Sequence, residues 1–537
     1  MKNTPNNEES ISFYNNILKN PVYWIGIGFI ALLSYLFDMV NRTVGMDDLA
    51  RPFYLGREGA AISDHRWGMT IIGNLLSSSE FTPFIDKFLS IIFLILSAVI
   101  FSRILFIYFK NINAKHLLLI ITLFSCIYIS YPLVNEIWNF STTNLCVHVN
   151  ALIVSFCILR LHRSIKLLSY DTIIASLLLS VAVSSYESSA FLYVTVVAAV
   201  LLLDCIFFKN RNWFSNGFRF AIPLIIAVIL KYIISFCLIR IMDLPKVQLA
   251  ASGITWQTGG NLLRQIKNVF LDTFINYFLK GLIYLPITIF LISLAALAVT
   301  VICQSIKQKN LHIVILFLLL FLSLFFQTII QGQAMLYRNA QMFPFFCAYS
   351  IALSLYFLSS INKRTILLTA FIFSGFICYR QGVFLNRTLA LNNQRSDNEA
   401  AIAYIIGSKI KEIDPQKPVY IAGGVDLGKY IDRQKRPDSS TPGGYLYRKI
   451  AIHFNWDYEN TVLYESNINS VINWNRGVFV IPHKMSEYFS YYGIDANIQE
   501  YSSWREHNSY AKEAYDNGLR PLEARDMGDH ILVFLGP

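Results

Sequence analysis

The chain has 537 residues, 55% of them hydrophobic and only 15% charged, with a formal net charge of +11. Soluble domains carry about 25% charged residues, and disordered chains are poor in apolar ones, so both classes are excluded and a polytopic membrane protein remains. Residues 1–385 hold 28 Lys+Arg against 15 Asp+Glu, and residues 386–537 hold 17 against 19. The basic excess therefore belongs to loops that anchor membrane helices, not to a nucleic-acid surface.

The first 20 residues are mostly polar and run into an apolar stretch of full spanning length, which reads as a membrane helix and not as a cleavable signal. Eleven candidate spans follow in order: 21–40, 86–109, 116–132, 145–162, 172–186, 189–208, 218–241, 277–303, 311–330, 341–360 and 365–385. The fifth is short and its turn at Glu187 is tight, so the pair 172–208 could instead form a re-entrant hairpin. Short loops bearing Lys110 and Lys115, Arg163 and Lys166, Lys209 and Arg211, Lys307 and Lys309, and Lys363 and Arg364 alternate with loops at Asn135 and Glu187 that have no Lys or Arg. The basic set is expected in the cytoplasm. That places the N-terminus inside, and the long loops 41–85 and 242–276 and the tail outside.

The first long loop is the most informative stretch. Asp47 and Asp48 follow the first span by about seven residues, at the outer surface. A hydroxyl acceptor is a poor nucleophile and needs a carboxylate base within hydrogen-bond reach. A second carboxylate beside the first raises one of the two pKa values toward neutrality. The same pair would also serve as an ordinary solvated loop end or helix cap. Later in the loop come Asp64, His65, Arg66 and Trp67, and then Gly68–Leu76, which reads as an amphipathic helix along the interface.

Lys231 falls near the middle of the seventh span, where a charge costs about 2.5–3.5 kcal/mol on insertion scales. It therefore needs a partner or water. Glu187 and Asp204 are the nearest acids on its N-terminal side, and a structural ion pair competes with a role at a donor phosphate. Arg338, in MLYRNAQMFP (335–344), lies at headgroup depth before the tenth span. There a guanidinium can grip phosphate with two bonds or simply snorkel.

Residues 386–537 read as a small α/β domain, with a helix over 397–413 and strands at 417–424, 461–466, 477–482 and 530–536. The eight cysteines all sit in or beside apolar runs, so this tail has neither a disulfide nor a thiolate metal site. GGVDLGK (423–429) imitates a phosphate-binding loop, but Tyr430 stands where Ser or Thr is needed for magnesium. Its glycines are expected to end a strand. No internal repeat is visible.

With its Asp47-Asp48 pair, Arg66-Trp67, Tyr337-Arg338 and the segment 384–424, the chain resembles the serotype-converting O-antigen glucosyltransferases of bacteria, the Gtr group of the GT-C superfamily. The resemblance implies a GT-C-like helical membrane fold of about 11 spans, with residues 1–385 catalytic and 386–537 periplasmic. It implies an inner-membrane hexosyltransferase that moves a sugar, commonly glucose, from undecaprenyl phosphate to O-antigen or related repeat units, beside a donor synthase and a flippase. Catalytic acid then maps by position onto Asp47 and Asp48. Arg338, Arg66, Trp67, Asp64, Glu187 and Lys231 are the candidates for donor and substrate binding. No cofactor is expected, since arginines can neutralise a monophosphate leaving group, although Asp47 and Asp48 could hold a divalent cation. Inversion is expected because no separate nucleophile is apparent. The competing classes are a flippase or transporter of lipid-linked saccharides, and an O-antigen polymerase or ligase.

Overall fold

In lipid every backbone N–H and C=O must be satisfied within the chain, so long apolar runs become helices. The computed structural model describes residues 7–41, 58–76, 83–109, 112–132, 135–138, 141–163, 169–244, 262–274, 287–332, 339–360, 364–423, 489–490, 492–499, 501 and 504–536. Helix α1 (Asn7–Phe13) passes through a π turn into α2 (Pro21–Val40). Two short helices, α3 (Glu58–Ser63) and α4 (Trp67–Leu76), precede α5 (Pro83–Tyr108). Proline opens both α2 and α5, at the position where its missing N–H costs nothing. Asn113 caps α6 (Ala114–Ser130) by accepting from the Lys115 N–H at 2.9 Å.

After α7 (Asn135–Trp138) and α8 (Ser141–Arg163), a reciprocal cap between Ser169 and Thr172 starts α9 (Tyr170–Ser185). Helix α10 (Ser188–Phe208) ends at Lys209 in the left-handed region, and α11 (Trp213–Ile241) returns through the bundle. Then come α12 (Leu262–Phe274), α13 (Ile287–Gln308), α14 (His312–Ser323), α15 (Phe326–Gln331), α16 (Met342–Ser359) and α17 (Arg364–Ile413).

Among the described residues, eight helices are long and apolar enough to cross a membrane: α2, α5, α8, α10, α11, α13, α16 and the first part of α17. The third, fifth and ninth expected spans are helices of only 17, 16 and 12 residues, α6, α9 and α14. The ninth also breaks at Leu324–Phe325, beyond which α15 begins. The eighth starts at Ile287, and residues 275–286 lie outside the described residues. The eleventh does not stop at Leu385. Residues 386–396 contain neither Gly nor Pro, so helix continues through them to Ile413.

The chain divides into two compact units at Asn386/Arg387, with the short stretches Phe37–Leu55 and Glu136–Thr142 grouped with the second. In the first unit, hydroxyls tie apolar helices together. Tyr23 and Ser102 each hydrogen-bond Ser125, at 3.0 and 2.8 Å, joining α2, α5 and α6. Tyr35 donates to the Ile129 carbonyl at 2.6 Å, and Ser130 to Gln381 at 2.9 Å. Such bonds contribute about 0.6 kcal/mol each in a bilayer and fix which helix faces which. At one end of the bundle Tyr108 donates to Asp204 at 2.8 Å and meets His162 at 2.7 Å, locking α5, α8 and α10.

In the second unit β1 (Val419–Ala422), β2 (Glu523–Asp526) and β3 (Ile531–Phe534) form a sheet in the order β1-β3-β2. β1 runs parallel to β3, with Val419 opposite Ile531, and β2 runs antiparallel to it. Ile402, Ile406 and Ile410 of α17 cover one face, against Val419, Ile421, Ile531 and Val533. On the other face, Ala514 of α18 (Trp504–Asp516) packs near Ala422, Leu532 and Phe534. A strand buried on both faces reads as an unbroken apolar run, which is why β1 and β3 are visible in the sequence. β2, Glu-Ala-Arg-Asp, is a polar edge and is not. Gly423 ends β1 as expected: its φ is +82°, and a Cβ there would strike the Gly536 carbonyl. The expected strands 461–466 and 477–482 lie outside the described residues.

Candidate functional site

Helix α9 is shorter than its neighbours, and this places the turn after it below the ends of the bundle. Asn150 donates to Ser185 at 3.3 Å, so the last residue of α9 lies level with a residue about nine positions, or about 14 Å, inside the start of α8. The chain reverses over two residues: extended Tyr186 and helical Glu187, which begins α10. Glu187 thus stands below the ends of the neighbouring helices, with an exposed side chain.

From α11, Lys231 reaches the same level. It lies ten residues, or about 15 Å, before the end of α11 at Ile241, beyond the midpoint expected from the sequence. Its ammonium donates to Glu187 Oε1 at 2.7 Å. The Lys231 side chain is 3% exposed and that of Glu187 52%. One partner is therefore walled in and the other opens into free space. Of the two acids suggested by sequence, Asp204 is bound instead to Tyr108 and His162 at the opposite end of the bundle.

The first loop descends to this pair. Helix α3 stops with the His65 N–H bonded to the Ile62 carbonyl at 2.9 Å and the Arg66 N–H to the Ala61 carbonyl at 2.7 Å. This closure demands a left-handed residue, usually glycine, and His65 fills it with φ 60°. A non-glycine residue there costs about 1–2 kcal/mol, so the ring has a reason to be present. It packs edge-on against Tyr232 at 5.6 Å. Trp67 then donates its indole N–H to the Lys231 carbonyl at 3.2 Å, pinning the start of α4 to α11.

Gly68 permits the approach, because any Cβ would collide with the Val181 carbonyl and the Ser184 hydroxyl on α9. Beyond it, Ile72 packs with Leu145, Cys146 and Val149 of α8, with Leu89 of α5 and Val181 of α9 alongside. Helix α4 is therefore part of the bundle wall, and only Ile71 and Leu75 present an outward apolar edge.

Arg66 completes the cluster, its guanidinium 6.0 Å from the centre of the Tyr186 ring. Burial raises the Glu187 carboxyl, but Lys231, Arg66 and His65 outweigh it and hold the group below its ordinary range. Burial and the neighbouring Lys231 push the His65 imidazole below its usual 6.5, against the opposing pull of Asp64 and Glu187. The cluster therefore sets the Glu187 carboxylate against the basic side chains of Lys231 and Arg66, with the His65 imidazole beside them. Among the described residues Lys231 is paired with Glu187, and Arg66 lies against the Tyr186 ring with Asp64 exposed nearby.

Of the residues expected from sequence, Arg66, Trp67, Glu187 and Lys231 come together here. Asp64 sits exposed at the rim, beside His65. Asp47, Asp48 and Arg338 lie outside the described residues. The sequence reading missed the Tyr186 contact: its hydroxyl donates to Asn339 Oδ1 at 3.0 Å, and Asn339 directly follows Arg338. A tyrosine beside a singled-out glutamate was the available signal. Buried charges at Asp38, Asp86 and Lys87 were also missed. Among the described residues no three metal-ligating side chains converge.

The described fold is a set of apolar helices of membrane-crossing length with this charged cluster among them. The family model for glucosyl transferase GtrII matches residues 36–355, and the chain belongs to this family. The match takes in the first loop, Glu187, Lys231 and Arg338, and ends before α17. No curated protein and no solved structure matches the chain.

Proposed function

We propose that the chain is a GT-C-like glycosyltransferase of the bacterial inner membrane that moves glucose from undecaprenyl phosphate to O-antigen or related surface polysaccharide at the periplasmic face. The observation that carries this reading is the Glu187–Lys231 pair with Arg66 beside it, recessed among apolar helices. A polyprenyl phosphate has an anionic head on an apolar tail. It needs cations below the helix ends and an open side next to lipid. Exposed Tyr232, Ile233 and Phe236 supply that apolar flank on α11.

In this reading Lys231 and Arg66, with Arg338, hold the phosphate. Trp67 fixes the loop against α11, and Asp64 at the rim faces the acceptor. Asp47 or Asp48 takes the proton of the acceptor hydroxyl as its oxygen attacks the anomeric carbon. The bond from that carbon to the phosphate oxygen breaks in line, and its electron pair leaves with the phosphate, which the cations stabilise. One glycosidic bond forms, one ester bond breaks, the proton passes to the carboxylate and the anomeric centre inverts. The N-terminus is cytoplasmic and residues 386–537 form a periplasmic domain.

The test is transfer of labelled glucose from undecaprenyl phosphate to polysaccharide by the full chain in nanodiscs. The wild type transfers. Asp47→Asn or Asp48→Asn lowers the rate by about 10²–10⁴-fold, the usual worth of a positioned base. Translocation or polymerisation without transfer would refute the reading.

A further inference from the structure

We infer that Tyr186 is the positioning residue that joins the three separate pieces of the donor site. This rests on the proposed polyprenyl-phosphate reading and extends it to a residue outside the anion-binding set. The pieces come from distant parts of the chain: Arg66 from the first loop, Glu187 from the α9–α10 turn, and Asn339 just before α16.

Tyr186 touches all three. Its ring lies under the Arg66 guanidinium at 6.0 Å, within the range of a cation–π contact. Its hydroxyl donates to Asn339 Oδ1 at 3.0 Å. Its backbone is bonded to Glu187, whose carboxylate holds Lys231. The side chain is only 7% exposed, and its backbone is fixed by a bond from its N–H to the Ala182 carbonyl at 3.0 Å. Few rotamers remain to it, so moving Asn339 moves the ring under Arg66.

The two ends of the tyrosine separate by substitution. Tyr186→Phe keeps the ring and loses the bond to Asn339. Asn339→Ala removes the same bond from the other side. Tyr186→Leu removes ring and hydroxyl together. If Tyr186 sets the donor site, Tyr186→Phe and Asn339→Ala each raise the KM for undecaprenyl phosphate-glucose about five-fold, the worth of one net hydrogen bond. The double variant loses less than the sum of the two singles, since both remove the Tyr186–Asn339 bond. The KM for the acceptor stays at its wild-type value. Tyr186→Leu raises the donor KM further, and Tyr186→Phe recovers part of that loss.

A Tyr186→Phe enzyme with wild-type donor KM would overturn the inference while leaving the glucosyltransferase reading intact. So would an equal rise in donor and acceptor KM with a lowered melting temperature, which marks a merely structural residue. Wild-type protein that neither transfers glucose nor binds undecaprenyl phosphate, as read by native mass spectrometry, would sink both.

Discussion

Glu187 and Lys231 differ in what their loss does. Glu187→Gln strips the counter-charge from an ammonium that is 3% exposed. Breaking a fully buried pair costs about 3–5 kcal/mol. The half-exposed carboxylate reduces that here to about 1–2 kcal/mol, to be read as a lower unfolding temperature in detergent. The pH dependence has a definite sign. Because the folded Glu187 carboxyl is held below its ordinary range, the pair contributes stability that is complete above about pH 4.3 and is lost as pH falls through the lower folded value. Melting temperature in the wild type should therefore show no loss attributable to this pair between about pH 6 and about pH 8. A drop there that Glu187→Gln abolishes would contradict the assignment. His65 makes the complementary case. Glycine would relieve its left-handed backbone, so His65→Gly is expected to raise stability by up to about 1 kcal/mol while weakening donor use. Unchanged donor kinetics would mean that the ring serves only the turn.

At the scale of elements, the recess depends on α4 lying against α8 and α9. Gly68→Ala puts a methyl group into the Val181 carbonyl and the Ser184 hydroxyl. Such overpacking costs about 1–3 kcal/mol, and the displaced helix carries Trp67 away from the Lys231 carbonyl. A lower melting temperature together with reduced transfer is expected. A variant with wild-type stability would show that α4 is mobile and does not form a wall. Hydropathy exposes helices such as α10 and α16 because their apolar runs are long. It could not show that α9 is short for a reason. Its length is what sinks Glu187, and that becomes apparent only through the contact between Asn150 and Ser185. Nor could it place α4, which reads as an amphipathic helix along the interface yet buries Ile72 against three other helices. The break at Leu324–Phe325 has no sequence signal that we can identify.

Across the whole molecule, a lysine near the middle of a span pointed to Lys231 and Glu187, and the family resemblance pointed to Arg66 and Trp67. Their convergence was not legible, because residues 66, 187 and 231 meet through long-range packing that no local period encodes. The roles of Tyr186 and Asn339 stayed hidden for the same reason. The family match ends at residue 355, and the helix α17 and the α/β unit lie outside the matched residues. The central claim is that the recess around Lys231 holds the phosphate of a lipid-linked sugar. The most direct measurement is the KM for undecaprenyl phosphate-glucose in nanodiscs, compared between wild type and Lys231→Met, a neutral side chain of similar length. A donor KM raised at least about ten-fold, as expected for a lost charge-assisted contact of about 1.5–3 kcal/mol, with the acceptor KM unmoved, is the predicted result. Donor kinetics indistinguishable from wild type in a stably folded Lys231→Met protein would contradict it.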